Sequence, residues 1–156
     1  VAQREDNMTP GYLLDLLIIN EVRKEKLANE LEPEIKHDLD RQNGFLLREI
    51  GRYLIEVSEG KRPGTFSKHK NYDEGVSEEE NPNLIKVLYK LYQRHSELWD
   101  LEDKRRDTET NQPDERLAAA DQVSIVNKKR NDLVEQIDKV INTDLKKTKL
   151  WGNLVE

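Results

Sequence analysis

His95-Ser96-Glu97-Leu98-Trp99-Asp100-Leu101-Glu102-Asp103-Lys104-Arg105-Arg106 is the stretch whose reading decides the fold. At roughly 100° per residue, Leu84, Leu88, Leu91, Trp99, Glu102 and Arg106 all fall within about 40° of His95. Apolar and ionisable residues therefore share one face of one helix. A face of that composition meets other helices, and its His, Glu and Arg need partners there, because an unpaired buried charge costs several kcal/mol.

Three more segments show the same period. Thr9-Pro10 is a helix start, Thr as N-cap and Pro at the first helical position; the stripe Leu13, Leu14, Leu17, Ile18, Leu27, Leu31 predicts a helix to about Leu31. Pro33-Glu34 restarts a helix carrying Leu39, Asn43, Leu46, Ile50, Tyr53 and Val57 at 4-3-4-3-4 spacing. That is a heptad-like seam with one polar member, Asn43. The pattern stops from Ser58 to Asn81, where glycines, prolines and charges predict a long mobile connection. A third helix is expected from about Pro82 to Asp107, capped by Ser77 or Asn81. After a turn at Thr108–Gln112, Pro113 opens a fourth, expected to reach about Asn142 with the stripe Val123, Val126, Arg130, Leu133, Ile137, Val140. Leu150, Trp151, Leu154 and Val155 are expected to fold back onto the bundle as a tail, since exposed they would form a sticky patch. The fold class is all-α: an antiparallel bundle of four main helices in a single domain, residues 1–156, with a loop at 58–81 and a short tail or helix at 143–156.

Composition narrows the function classes. Charged residues make up 37% of the chain and hydrophobic ones 35%, with 26 Lys+Arg against 32 Asp+Glu for a net charge of −6. That balance works against non-specific attraction to nucleic acid or anionic membranes. The absence of cysteine excludes disulfides, thiolate metal ligands and a cysteine nucleophile. No apolar run approaches the roughly 20 residues of a membrane span, and no signal-like n-region and h-region opens the sequence, so a soluble cytoplasmic protein is the simplest expectation. Self-association into a homo-oligomer is among the partners the sequence allows.

Every helix interrupts its apolar stripe with polar residues: Asn20, Glu21 and Lys24 on the first, Asn43 on the second, His95, Glu102 and Arg106 on the third, Asn127, Arg130 and Asn131 on the fourth. At similar depth they would form one internal constellation suited to a small polar or phosphorylated ligand, held by Arg106, Arg130 and the amides. The alternative is a structural network in which Glu102 pairs with Arg130 or Lys24 and the amides satisfy leftover donors. Residue counting from the turn near Thr110 favours His95 beside the Asn127–Asn131 turn, with Glu102 reaching Arg130 as a variant. Within the site, His95 or Glu102 is the candidate general base of an enzymatic reading.

Other chemistry is largely absent. There is no glycine-rich phosphate loop, no H-E-x-x-H and no G-x-S-x-G, and no Glu-x-x-His pair for a ferritin-like dimetal site; no metal ligands are assigned and no cofactor is named. The Glu-x-x-Asp pairs Glu97/Asp100 and Glu135/Asp138 are similar to those with which all-helical nucleoside-triphosphate pyrophosphohydrolases hold Mg²⁺, which supplies the alternative function, a metal-dependent phosphohydrolase. Glu97 and Asp100, however, point roughly 160° and 140° from His95, towards solvent.

The blocks LWDLEDKRRD (Leu98–Asp107) and NKKRNDLVEQID (Asn127–Asp138), joined by an acidic and alanine-rich connector, resemble a bacterial all-helical family catalogued as domain of unknown function 4254. The opening TPGYLLDLLIIN (Thr9–Asn20) looks like the start of the same family. What the resemblance implies is a helical protein often found beside cell-envelope glycan genes, with Trp99, Glu102, Asp103, Arg106, Asn127, Arg130, Asn131 and Asp132 as motif positions.

Overall fold

The computed structural model describes residues 8–64 and 83–155, with side chains as far as residue 147. Among these residues there are four helices and no strand: α1 (Pro10–Lys26), α2 (Pro33–Ser58), α3 (Leu84–Arg106) and α4 (Pro113–Val155). The expected mobility of the connection around Lys61–Lys70 falls largely outside the described residues.

α1 is the central element. It touches α2, α3 and α4, whereas α2 and α3 do not touch each other. The reason is legible in Tyr12-Leu13-Leu14-Asp15-Leu16-Leu17-Ile18-Ile19, a helix apolar nearly all round, which belongs inside a bundle. Gly11, Asp15, Ile18 and Val22 recur at 4-3-4 spacing on one side, and all four are buried. Leu13, 1% exposed, lies about 180° from Val22 on the other side. Ile18 and Val22 join Val87 and Leu91 of α3 and Leu133, Val134, Ile137 and Ile141 of α4 in the main core. Across α2, Leu39, Asn43, Leu46 and Tyr53 are buried as the heptad-like seam requires.

Each N–H of the first turn of α1 has a partner. Pro10 has none to satisfy; Gly11 donates to Oδ1 of Asp138 on α4 at 2.7 Å, Tyr12 to the Thr9 hydroxyl at 3.3 Å and Leu13 to the Thr9 carbonyl at 3.0 Å. Gly11 is required by the crossing: a Cβ there would stand 2.4 Å from the Val134 carbonyl oxygen. α3 and α4 form a tight hairpin. Its turn is built on Asp107, whose carboxylate accepts from the Glu109 N–H, the Thr110 N–H and the Thr110 hydroxyl, holding its pKa below the ordinary value.

The structure moves several boundaries. α1 stops at Lys26 instead of Leu31, because Leu27–Glu30 close a turn in which Glu30 and Leu31 N–H both donate to the Leu27 carbonyl. α3 begins at Leu84 with Asn83 as cap, its side chain accepting from the Ile85 N–H at 2.9 Å; the expected caps Ser77 and Asn81 lie outside the described residues. α4 runs unbroken to Val155, 43 residues or about 64 Å. The expected fold-back of a tail is thereby corrected: Leu145-Lys146-Lys147 continue the helix with good helix formers and no proline. No described helix is long and apolar enough to cross a membrane.

Candidate functional site

The pivotal contact is one that the sequence reading missed. His95 Nε2 lies 2.6 Å from Oδ1 of Asp15, with side-chain exposures of 6% and 10%. A carboxyl group at that distance orients the imidazole ring. The signal for Asp15 was present: it is the lone charged residue in the otherwise apolar run Tyr12–Ile19 of α1, on the same line as Gly11, Ile18 and Val22, and a carboxylate in such a place needs a partner. His95 therefore takes its hydrogen-bond partner from α1.

His95 also lines a cleft of about 290 Å³ between α1 and α3, with Trp99, Glu102, Asp103 and Arg106 on the α3 side and Ile19 and Val22 on the α1 side. Five of the residues picked out from sequence thus converge. They do so at an opening, because α1 ends at Lys26 while α3 continues to Arg106. The polar half of the α3 stripe is consequently not sealed in the core as expected. Arg106 has a side-chain exposure of 72%, and Glu102 pairs with Arg105 at 2.6 Å and Arg106 at 3.7 Å on its own helix. Glu102 does not reach Arg130. Trp99 is half-buried and packs against the main core.

The remaining expected members lie elsewhere, so the single constellation splits. Asn20 and Lys24 face α2. There the Asn20 amide donates to Asn43 Oδ1 at 2.9 Å, Asn43 donates to Glu21 at 2.7 Å, and Lys24 bridges Glu21 at 2.8 Å and Asp40 at 2.6 Å. This is the structural network, and it pins α1 to α2. Its electrostatics are consistent: hydrogen bonding to Asp40 raises the Lys24 pKa, and the same bond lowers that of Asp40. On α4, Arg130 sits on the core stripe and bonds Asn131 Oδ1 at 3.3 Å, with its Nε buried and unpartnered. Asn127, Asn131 and Asp132 are half-buried. None of these four α4 residues lines the cleft.

The two acidic pairs do not converge either. Glu97 is engaged by Arg94 at 2.7 Å and Asp100 by Lys26 at 2.9 Å. Asp138, completely buried, caps α1 instead of facing solvent or a metal. Among the described residues, no group of three or more His, Asp or Glu side chains is placed to hold a metal ion. Asp138, read from the sequence only as half of an acidic pair, and Asn142, which the sequence reading did not single out, are both buried polar positions. They fall on the flank of the α4 stripe, about 120° and 160° from Val126, a flank that is inward only because α1 and α2 pack there.

The family model described as protein of unknown function (DUF4254) matches residues 85–153, nearly the whole α3–α4 hairpin. The resemblance read from the LWDLEDKRRD and NKKRNDLVEQID blocks is thus borne out over that hairpin; the Thr9–Asn20 block lies outside the match. No curated protein and no solved structure matches the chain.

Proposed function

We propose that the chain is a binding or accessory protein whose α1–α3 cleft holds a small, uncharged polar ligand rich in hydroxyl groups, of the sugar type. The observation that carries this reading is the buried Asp15–His95 pair opening onto a cleft that also presents an indole ring, two carboxylates and a guanidinium. Trp99 supplies a flat apolar wall, and the side chains around it supply oriented acceptors and a donor, the usual composition of a small-molecule site. The lining charge speaks against the phosphorylated alternative at this cleft: Glu102 and Asp103 outnumber Arg106, and Arg130 and the α4 amides are not there to help. A sugar ligand accords with the association of the resembled family with envelope glycan genes.

A Trp151→Phe variant, which leaves Trp99 as the sole tryptophan, tests the reading by fluorescence titration with glucose and N-acetylglucosamine. The expected result is a saturable change in emission that disappears in Glu102→Gln/Asp103→Asn. If no neutral sugar perturbs Trp99 or raises the melting temperature, the reading fails. Calorimetry with Mg²⁺, alone and with a nucleotide, addresses the phosphohydrolase alternative, for which binding is expected to be undetectable.

A further inference from the structure

α1 packs against three helices and still keeps one side open. Asp15 turns to α3, Ile18 to the main core, and Asn20 and Lys24 to α2. At roughly 100° per residue, the arc left over holds Tyr12, Leu16, Ile19 and Arg23, within about 60° of one another. Tyr12 is 38% exposed, Arg23 is exposed, and Leu16 and Ile19 are half-buried. Their 4-3-4 spacing is that of a helix–helix seam. Ile19 borders both the α1–α3 cleft and a groove between α1 and α2, which Leu16 and Phe45 also line. α2 runs antiparallel to α1, Asn20 bonding Asn43 and Lys24 bonding Asp40, which puts Phe45 near the middle of the seam with its side chain half exposed.

We propose that this seam is the interface of a two-fold symmetric homodimer, in which α1 packs antiparallel on α1 of a second copy. Self-complementarity is what commits it to a second copy. Reversed on itself about a point between Leu17 and Ile18, the seam sets Leu16 against the partner's Ile19 and Tyr12 against the partner's Arg23, and each contact is made twice. Arg23 makes no ion pair with any other described residue, so its guanidinium can lie over the partner's Tyr12 ring, a cation–π contact. An isologous contact of this kind closes at two copies. The groove beside the seam is rimmed by Asp38 and Arg41, one of each sign, which favours neither a strongly acidic nor a strongly basic partner. The seam is about 16 Å long. An interface built on it and on Phe45 is at the small end of specific contacts, so the dimer forms with concentration and is not permanent. This goes beyond the sugar-cleft reading and does not rest on it.

Sedimentation velocity of the full chain from micromolar to millimolar concentration tests the proposal, and a monomer–dimer equilibrium is the expected result. Ile19→Lys should weaken it by about tenfold or more, because an ammonium is then pressed into an apolar contact. Arg23→Glu should weaken it too, and Tyr12→Lys/Arg23→Glu, which sets opposite charges across the seam, should recover it. The register has its own readout, since the chain contains no cysteine. Under mild oxidation an equimolar mixture of Leu16→Cys and Ile19→Cys chains should form disulfide-linked dimers in excess of either variant alone, and both substitutions are mild enough to keep the fold. A monomer at every concentration overturns the proposal, as does wild-type self-association in Ile19→Lys, which places the contact elsewhere. Cross-linking of Leu16→Cys alone to the same extent as the mixture overturns the antiparallel pairing. Trp99 emission reads sugar and not association, so failure here leaves the sugar-cleft reading standing, and the reverse holds.

Discussion

Gly11 and Asp138 stand 127 positions apart in sequence, yet the backbone N–H of the first donates to the buried carboxylate of the second at 2.7 Å. The bond fixes where α4 crosses the start of α1 and places negative charge at that helix's positive end. Asp138→Ala is expected to cost about 1–3 kcal/mol by orphaning a buried N–H, and Asp138→Asn, which keeps an acceptor, to cost less. Gly11→Ala should cost about 1–3 kcal/mol by overpacking against the Val134 carbonyl. Urea unfolding of the three variants checks both.

Asp15 and His95 should behave as a coupled pair. Removing one partner leaves the other polar and buried, so Asp15→Leu or His95→Leu alone is expected to cost about 3–5 kcal/mol. The double variant should cost clearly less than the sum. A double-mutant cycle with additive energies would mean that the two side chains do not interact.

Arg130→Met separates the network view of α4 from what the structure holds. With its Nε buried and unpartnered and one long bond to Asn131, Arg130 should be replaceable by an apolar side chain of similar length. Stability unchanged or raised by about 1 kcal/mol is the expected outcome. A loss of several kcal/mol would reveal a carboxylate partner.

The α1–α2 network gives a pH dependence with a defined sign. Hydrogen bonding to Lys24 lowers the Asp40 pKa, so its contribution is present above the unfolded carboxylate value and is lost as pH falls through the folded one. The same bond, with help from Glu21, raises the Lys24 pKa; that contribution is complete below the unfolded lysine value and is lost as pH rises through the folded one. The stability difference between wild type and Lys24→Met should therefore be largest between these limits and shrink at both ends. A flat difference from acid to alkaline pH would refute the assignment.

The elements were readable because periodicity, caps and prolines act within a few residues: Thr9-Pro10 and Pro113 begin helices as their chemistry requires, and the Asn43 seam is buried throughout its first half. What was not readable depended on arrangement. Whether Glu102 and Arg106 end in a core or in a cleft depends on how far α1 extends alongside α3, which no local signal in α3 contains. Arg130 lay on the core stripe as read, but its partner could not be deduced from α4 alone. Asp15 is the instructive miss. Apolar residues on all sides of it mark a central helix, and central placement alone makes its carboxylate an internal group.

The position of α1 also sets a problem of timing during synthesis. Among the described helices, α1 is made before α4, which must cover it, since Asp138 follows Gly11 by 127 residues. At about 5–20 residues per second, the ribosome takes roughly 6–25 s to supply that cover. α2 arrives early and shields the Leu13 side, but the Ile18–Val22 side waits for Leu133 to Ile141. Chains that stop short of Asp138 therefore leave Ile18, Val22 and the Asp15 carboxylate of α1 without their α4 cover, an exposed apolar surface of the kind that promotes aggregation and chaperone engagement.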